Sequence, residues 1–255
     1  MLPYVAGIPT YYAAWVLAAV AFLVWAPRCL VRAGVGRFPA TLFSMALVIA
    51  VFLGAKGTYV LERVLCPSDF PFVAPNWLAG FRLPGGLSLA VAILSIGQRL
   101  DLLRLRESMH ALAAPAWASV AFVHLGCFLN GCCFGLPSTT PWAVSLSKHS
   151  VVFLQQARAG WLPPEAAHTL PVEPLPLYFA VLALFAAASA RVLVRQTRGN
   201  PFALSVAVYS GGAVGLELLR PVKLWLNVVF YAWLCAWALL SMMQRAPHPR
   251  VAPVH

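Results

Sequence analysis

The sequence predicts an all-α integral membrane protein of about seven transmembrane helices, with its N-terminus outside and its C-terminus cytoplasmic. Three observations lead there. Of 255 residues, 61% are hydrophobic and only 10% charged, where soluble domains carry roughly 25% charged residues. Apolar runs approaching the ~20 residues of a spanning helix recur seven times. The basic residues separate these runs and favour alternate loops. The chain is expected to be one transmembrane domain, residues 1–255, with an outer-side loop region at about 134–175.

The first run covers about Tyr11 to Trp25 and ends at a loop with Arg28, Arg32 and Arg37. No basic region precedes it, so a first span is expected rather than a cleaved leader. The second covers about Thr41 to Val60, where Gly54 and Gly57 permit close helix contact. A loop with Glu62, Arg63, Asp69 and several prolines follows, to Leu83. The third run, Gly85 to about Gly97, is short, and Arg99, Arg104 and Arg106 follow it. The fourth rises from about His110 to Leu129. Residues 134–175 hold six prolines and form the longest non-helical stretch, within which Val151–Arg158 reads as a short amphipathic helix on the membrane surface. The fifth run is about Leu177 to Ala190, followed by Arg191, Arg195 and Arg198. The sixth is about Phe202 to Leu219, and the seventh, Leu224 to Met243, leads to a tail with Arg245 and Arg250.

Loop charge sets the orientation. The loops holding Arg28 to Arg37, Arg99 to Arg106, Arg191 to Arg198 and the tail are short and the more basic, so they are expected on the cytoplasmic side. The opposite loops carry Arg63, Arg82, Lys148, Arg158, Arg220 and Lys223. The net charge of +11 is thereby assigned to helix orientation and anionic lipid, and no nucleic-acid partner is expected. Six cysteines fix no redox compartment, though a disulfide is possible on the outer side.

This orientation brings Tyr11, Gly85-Gly86, the end of the fourth run, Tyr178, and Glu217 with Arg220 to one outer face. Glu217 and Arg220, three residues apart, share a helix face and can pair. Ionisable groups at such depth line polar cavities or anchor a helix structurally, and both readings stand. Lys223 adds charge suited to a phosphate. Tyr11, Tyr178 and Tyr209 each offer a hydroxyl or an interfacial anchor. The densest polar stretch is FVHLGCFLNGCCFGLPSTTPWAV, Phe122 to Val144. There His124 lies one helical turn before Cys127, as a base beside a thiol would. The Cys127, Cys132 and Cys133 spacing is not a recurring zinc pattern. Small buried packing residues or a disulfide are the alternatives for these cysteines. No metal or other cofactor is expected.

GCFLNGCCFGLPSTTPWAV resembles the signature of the prolipoprotein diacylglyceryl transferases, in which Gly-Arg-x-Gly-Asn-Phe-x-Asn-Gly-Glu precedes Gly-x-Pro-Thr-x-x-Pro-Trp. Distant relatives read Gly-Cys-Phe-Leu-x-Gly-Cys-Cys-Tyr-Gly there. Ile8-Pro9-Thr10-Tyr11, Gly85-Gly86-Leu87-Ser88, Leu177-Tyr178 and the Tyr209, Glu217, Arg220 helix fall in the family's order. The resemblance implies a seven-span fold and transfer of diacylglyceryl from phosphatidylglycerol, or another anionic phospholipid, to the cysteine thiol of a lipobox-type peptide. The expected place is the bacterial inner membrane. That chemistry needs a base for the thiol and a cationic clamp for the phosphate leaving group.

Residue by residue, the resemblance retains Tyr11, Gly86, Asn130, Gly135, Tyr178, Tyr209, Glu217 and Arg220. It departs at Ala90 (family histidine), His124 (arginine), Cys127 (asparagine), Cys132 (glutamate), Ala213 (arginine), Glu173 (histidine) and Phe179 (glutamate). The expected catalytic group is therefore His124, Cys127, Cys132, Glu217 and Tyr11. The expected substrate-binding group is Arg220, Asn130, Tyr178, Tyr209, Gly86, Gly135 and Lys223. Two functions follow: the family transfer, with His124 or a loop histidine (His149 or His168) as replacement base, or a catalytically altered homologue. The latter would bind lipid or lipopeptide, or use another acceptor through His124, Cys127 and Cys132.

Overall fold

The computed structural model describes residues 4–5, 8–65, 80–102, 104–148, 150–163, 165–195, 200–221 and 225–243. A hairpin of β1 (Tyr4–Val5) with β2 (Ile8–Pro9) precedes α1 (Thr10–Arg32) and α2 (Arg37–Leu65). Then come α3 (Leu83–Arg99), α4 (Leu105–Asn130), the short α5 (Val151–Arg158), α6 (Leu175–Arg195), α7 (Pro201–Leu218) and α8 (Trp225–Met243). Each expected apolar run is a helix, and α5 matches the expected short helix in its bounds. The helices outrun the apolar segments because terminal arginines continue them; α1 passes through Pro27 to Arg32.

Among the described residues, five helices (α1, α2, α4, α6 and α7) hold windows long and apolar enough to cross a membrane. The third run is the short one, a helix of 17 residues; α8 offers a shorter apolar stretch, Asn227–Met243. Asp69, His149, Arg198, Lys223, Arg245 and Arg250 lie outside the described residues.

Small residues set the packing, as they do where helices associate in lipid. Ala180, Ala183, Ala187 and Ala190 make a buried stripe on α6, which packs between α4 and α7. Together with α8 these helices enclose Trp117, Phe179, Val206, Tyr209 and Tyr231. A second core joins Phe22, Leu30, Phe43, Leu47, Leu94 and Leu112 across α1 to α4. The tightest seam is between α2 and α3, where a Cβ on Gly85 would lie 2.3 Å from the Gly54 carbonyl oxygen. By contrast α3 and α4 barely touch, and a cavity of about 460 Å³ opens among α1, α2, α3 and α4.

The segment between α4 and α6 is more ordered than its prolines suggest. Phe134, Leu146, Val152 and Val172 form their own small core. Isolated bridges join Pro137 and Val144 to Val172, and Ser147 to His168. The Leu136 N–H donates to the Leu219 carbonyl at 3.0 Å, which fastens this cap to the end of α7 beside Arg220.

Candidate functional site

The cavity is one continuous chamber with a long apolar wall and a polar end. On α4 its lining runs Met109, Leu112, Ala116, Ser119, Val120, Val123, His124 and Cys127. Steps of three and four residues keep these on one helix face. Eighteen residues of rise make that wall about 27 Å long, close to the ~30 Å of a bilayer's hydrocarbon core. At its upper end Tyr11, Arg82, His124, Cys127, Cys133, Phe179, Glu217, Arg220, Asn227 and Tyr231 converge.

The polar groups there are paired. Arg220 Nε lies 2.8 Å from Glu217 Oε2, with the carboxylate side chain only 2% exposed. Asn227 on α8 also reaches the Glu217 carboxylate, and the Cys133 thiol meets the Arg220 guanidinium. A guanidinium has five N–H donors, more than these two neighbours occupy. Arg82 forms a salt bridge with Glu62, and Arg220 is the cation beside the cysteines among the described residues. His124 shares a hydrogen bond of 3.1 Å between its Nε2 and the Tyr209 hydroxyl, and Tyr209 in turn meets Tyr231. The His124 ring stacks on Phe179, centroids 5.0 Å apart, and the Arg220 guanidinium also lies over the Phe179 ring, 5.6 Å from its centroid.

The cysteines are brought together by the end of α4. Gly131 takes φ 71°, the left-handed conformation that glycine adopts without steric cost. The Cys132 N–H then donates to the Cys127 carbonyl and the Gly131 N–H to that of Phe128, the paired closure of a Schellman turn. Cys133 follows at φ 64°. The three sulfurs end within 4.8 Å of one another, each a free thiol. Cys127 is buried and Cys133 is exposed into the chamber. Hydrogen bonds from Cys127 and Cys132, with the charge of Arg220, hold the Cys133 thiol well below the ordinary thiol range. Sequence reasoning named Cys127 and Cys132 as catalytic candidates; Cys133 stands with them, beside Arg220.

Other expected residues are distributed differently. Tyr11 lies in the chamber, close to the three thiols. The Asn130 side chain reaches Cys132. Tyr178 does not line the chamber: its hydroxyl donates to Glu173 Oε2 on the cap. Thr140 Oγ1 donates to the other carboxylate oxygen at 3.0 Å. Hydrogen bonds from Ser138 and Tyr178 foremost hold the Glu173 carboxyl below the usual carboxylate range. Gly86 sits against α2, where a Cβ would approach the Val51 carbonyl at 2.8 Å. Gly135 is pinned to the cap by its N–H to the Glu173 carbonyl. Of the loop histidines, His168 is exposed and paired with Ser147 on the cap. Asn227 and Tyr231 were missed. A polar Asn227 in an apolar helix, with Tyr231 one turn on, was the available signal.

Comparison with known proteins identifies the family. The family model described as prolipoprotein diacylglyceryl transferase matches residues 5–245. The phosphatidylglycerol–prolipoprotein diacylglyceryl transferase of Clostridium tetani is 26% identical over 189 residues, 70% of this chain and 68% of that protein. The protein of the same description from Tropheryma whipplei (strain Twist) is 25% identical over 179 residues, 69% of this chain and 63% of its own length. The chain thus spans about two thirds of these relatives. With the match extending over nearly its whole length, this chain belongs to the prolipoprotein diacylglyceryl transferase family.

Proposed function

We propose that the protein transfers a diacylglyceryl group from phosphatidylglycerol to the cysteine thiol of a lipobox-type peptide. The observation that carries this reading is the chamber: an apolar wall about 27 Å long ending at an arginine held by a buried glutamate. Acyl chains fit the wall, and a phosphate fits the free donors of Arg220. In the transfer, the acceptor sulfur forms a bond to the terminal glycerol carbon and the carbon–oxygen bond to phosphate breaks. Glycerol phosphate leaves, its growing charge met by Arg220. The thiol proton passes to His124, which Tyr209 and the Phe179 ring hold in place. In this reading α3 and α8 are also spans, giving seven, with the N-terminus and the cap outside the bacterial inner membrane.

Ala90 on the chamber wall favours a second reading. The family resemblance places a histidine there, and an apolar wall suits a protein that binds lipid or lipopeptide without transferring it. One experiment separates the two. Purified protein in phosphatidylglycerol liposomes is given a synthetic lipobox peptide, and intact masses of peptide and protein are read. A diacylglyceryl-sized gain on the peptide cysteine establishes transfer. No gain, with phosphatidylglycerol still co-purifying, replaces the enzyme with the binder.

A further inference from the structure

Three cysteines at one point exceed what thiol chemistry at this site requires. A nucleophile is one sulfur and a disulfide two, yet Cys127, Cys132 and Cys133 all converge within 4.8 Å. They do so on a rigid frame. Cys127 is fixed in the last turn of α4, and the Schellman closure at Gly131 swings Cys132 and Cys133 back over it. A cation bound at about 2.3 Å from each of three sulfurs sets those sulfurs about 4 Å apart. That separation lies within the 4.8 Å that bounds the three sulfurs here.

We propose that Cys127, Cys132 and Cys133 form a metal site for one thiophilic d10 cation of the zinc class. Three thiolates are a soft donor set and disfavour magnesium, calcium and manganese. Each thiol gives up its proton on binding, so a dication with three thiolates carries one net negative charge. The Arg220 guanidinium at Cys133 lies where that charge would fall. Asn130, reaching Cys132, supplies the outer hydrogen bond that orients a ligand sulfur. Three protein ligands leave a tetrahedral ion one open position. Cys127 and Cys133 both line the chamber, so that position opens on it. The site is independent of the transfer reading, because a lipid-binding homologue would hold the ion equally well.

The full chain, purified reduced in detergent, is titrated with Co²⁺ and then with Zn²⁺. The expected result is one cobalt per chain, with sulfur-to-cobalt charge-transfer absorption that one equivalent of zinc removes. X-ray absorption at the zinc edge should then show a shell of three sulfurs at about 2.3 Å. Cys127→Ser, Cys132→Ser and Cys133→Ser should each weaken zinc binding by more than about tenfold, with Cys29→Ser and Cys235→Ser unchanged. A zinc shell of oxygen and nitrogen only, or affinity indifferent to the three cysteines, overturns the site. The absorption measurement needs no variant, so the outcome stands even where Cys127→Ser fails to fold.

Discussion

The His124 imidazole lies flat on the Phe179 ring, centroids 5.0 Å apart and planes 16° from parallel. These are two of the positions at which the family resemblance expects an arginine and a glutamate. The two departures therefore fall in one contact, which in this chain is an aromatic stack. Such stacks contribute about 0.5–1.5 kcal/mol beyond burial. Phe179→Glu alone puts a carboxylate at a fully buried point, and His124→Arg alone puts a second cation near Arg220. Each single change should lower the unfolding temperature in detergent. The double variant His124→Arg/Phe179→Glu should recover more than about 0.5 kcal/mol of the summed loss, the coupling expected of touching residues. Simple additivity would show that the two positions are not coupled.

Glu217 and Arg220 make a pair whose carboxylate is almost wholly buried. Removing one partner of a buried pair strands the other charge, at about 3–5 kcal/mol. Glu217→Gln should therefore destabilise the fold, and Glu217→Gln with Arg220→Gln should be more stable than Glu217→Gln alone. Activity separates the partners differently. Losing a donor to the leaving phosphate costs about a hundredfold to a thousandfold in turnover, so Arg220→Gln should fall that far in the liposome assay. Arg220→Lys, which keeps charge without the planar fork, should fall in between. An Arg220→Gln protein with unchanged turnover would remove the phosphate clamp from the reaction.

Glu217 and Arg220 were legible because ionisable groups in an apolar helix are rare enough to stand out. The helices themselves were legible for the related reason that lipid demands long apolar runs. What one chain's letters do not carry is helix phase. Tyr178 and Phe179 are adjacent, about 100° apart around α6, and nothing in their order along the chain tells which one faces the chamber. The structure turns Phe179 inward and gives Tyr178 to Glu173 on the cap. The cap was read as a non-helical stretch because its order comes from distant pairings, Val144 with Val172 and Ser147 with His168. Asn227 and Tyr231 went unread because α8 carries no motif to anchor them.

The cap should loosen in acid. Glu173 is held below the usual carboxylate range by the hydroxyls of Ser138, Tyr178 and Thr140. A depressed folded-state value means that the ionised carboxylate stabilises the cap at neutral pH. That contribution is present above the unfolded value, roughly 4.3, and is lost as pH falls through the folded value. Hydrogen exchange of residues 134–174, corrected for intrinsic rate, should show protection constant from pH 7 to 5 and declining below pH 4. Glu173→Gln should lower protection at neutral pH and flatten the acid response. Equal acid sensitivity in the variant would assign the loosening to another group.

The α2–α3 seam should be the least tolerant place in the bundle for a single methyl group. A Cβ on Gly85 would stand 1.8 Å from Thr58 Oγ1 and 2.3 Å from the Gly54 carbonyl oxygen. The second of these is backbone, which moves only if the whole helix moves. Forcing extra volume into a packed interface costs about 1–3 kcal/mol, and here α3 must shift outward to relieve it. That shift acts on the chamber, because Leu87, Ala90 and Leu94 on α3 form one of its walls. Gly85→Ala should therefore lower the unfolding temperature and weaken retention of phosphatidylglycerol through purification. Gly57→Ala on the same helix pair serves as the control: its Cβ meets nothing within 4 Å, and alanine is about 1 kcal/mol the better helix former. That protein should be as stable as the parent or more so, and should hold its lipid. Equal behaviour of the two variants would mean that the close approach of α2 and α3 does not set the shape of the chamber.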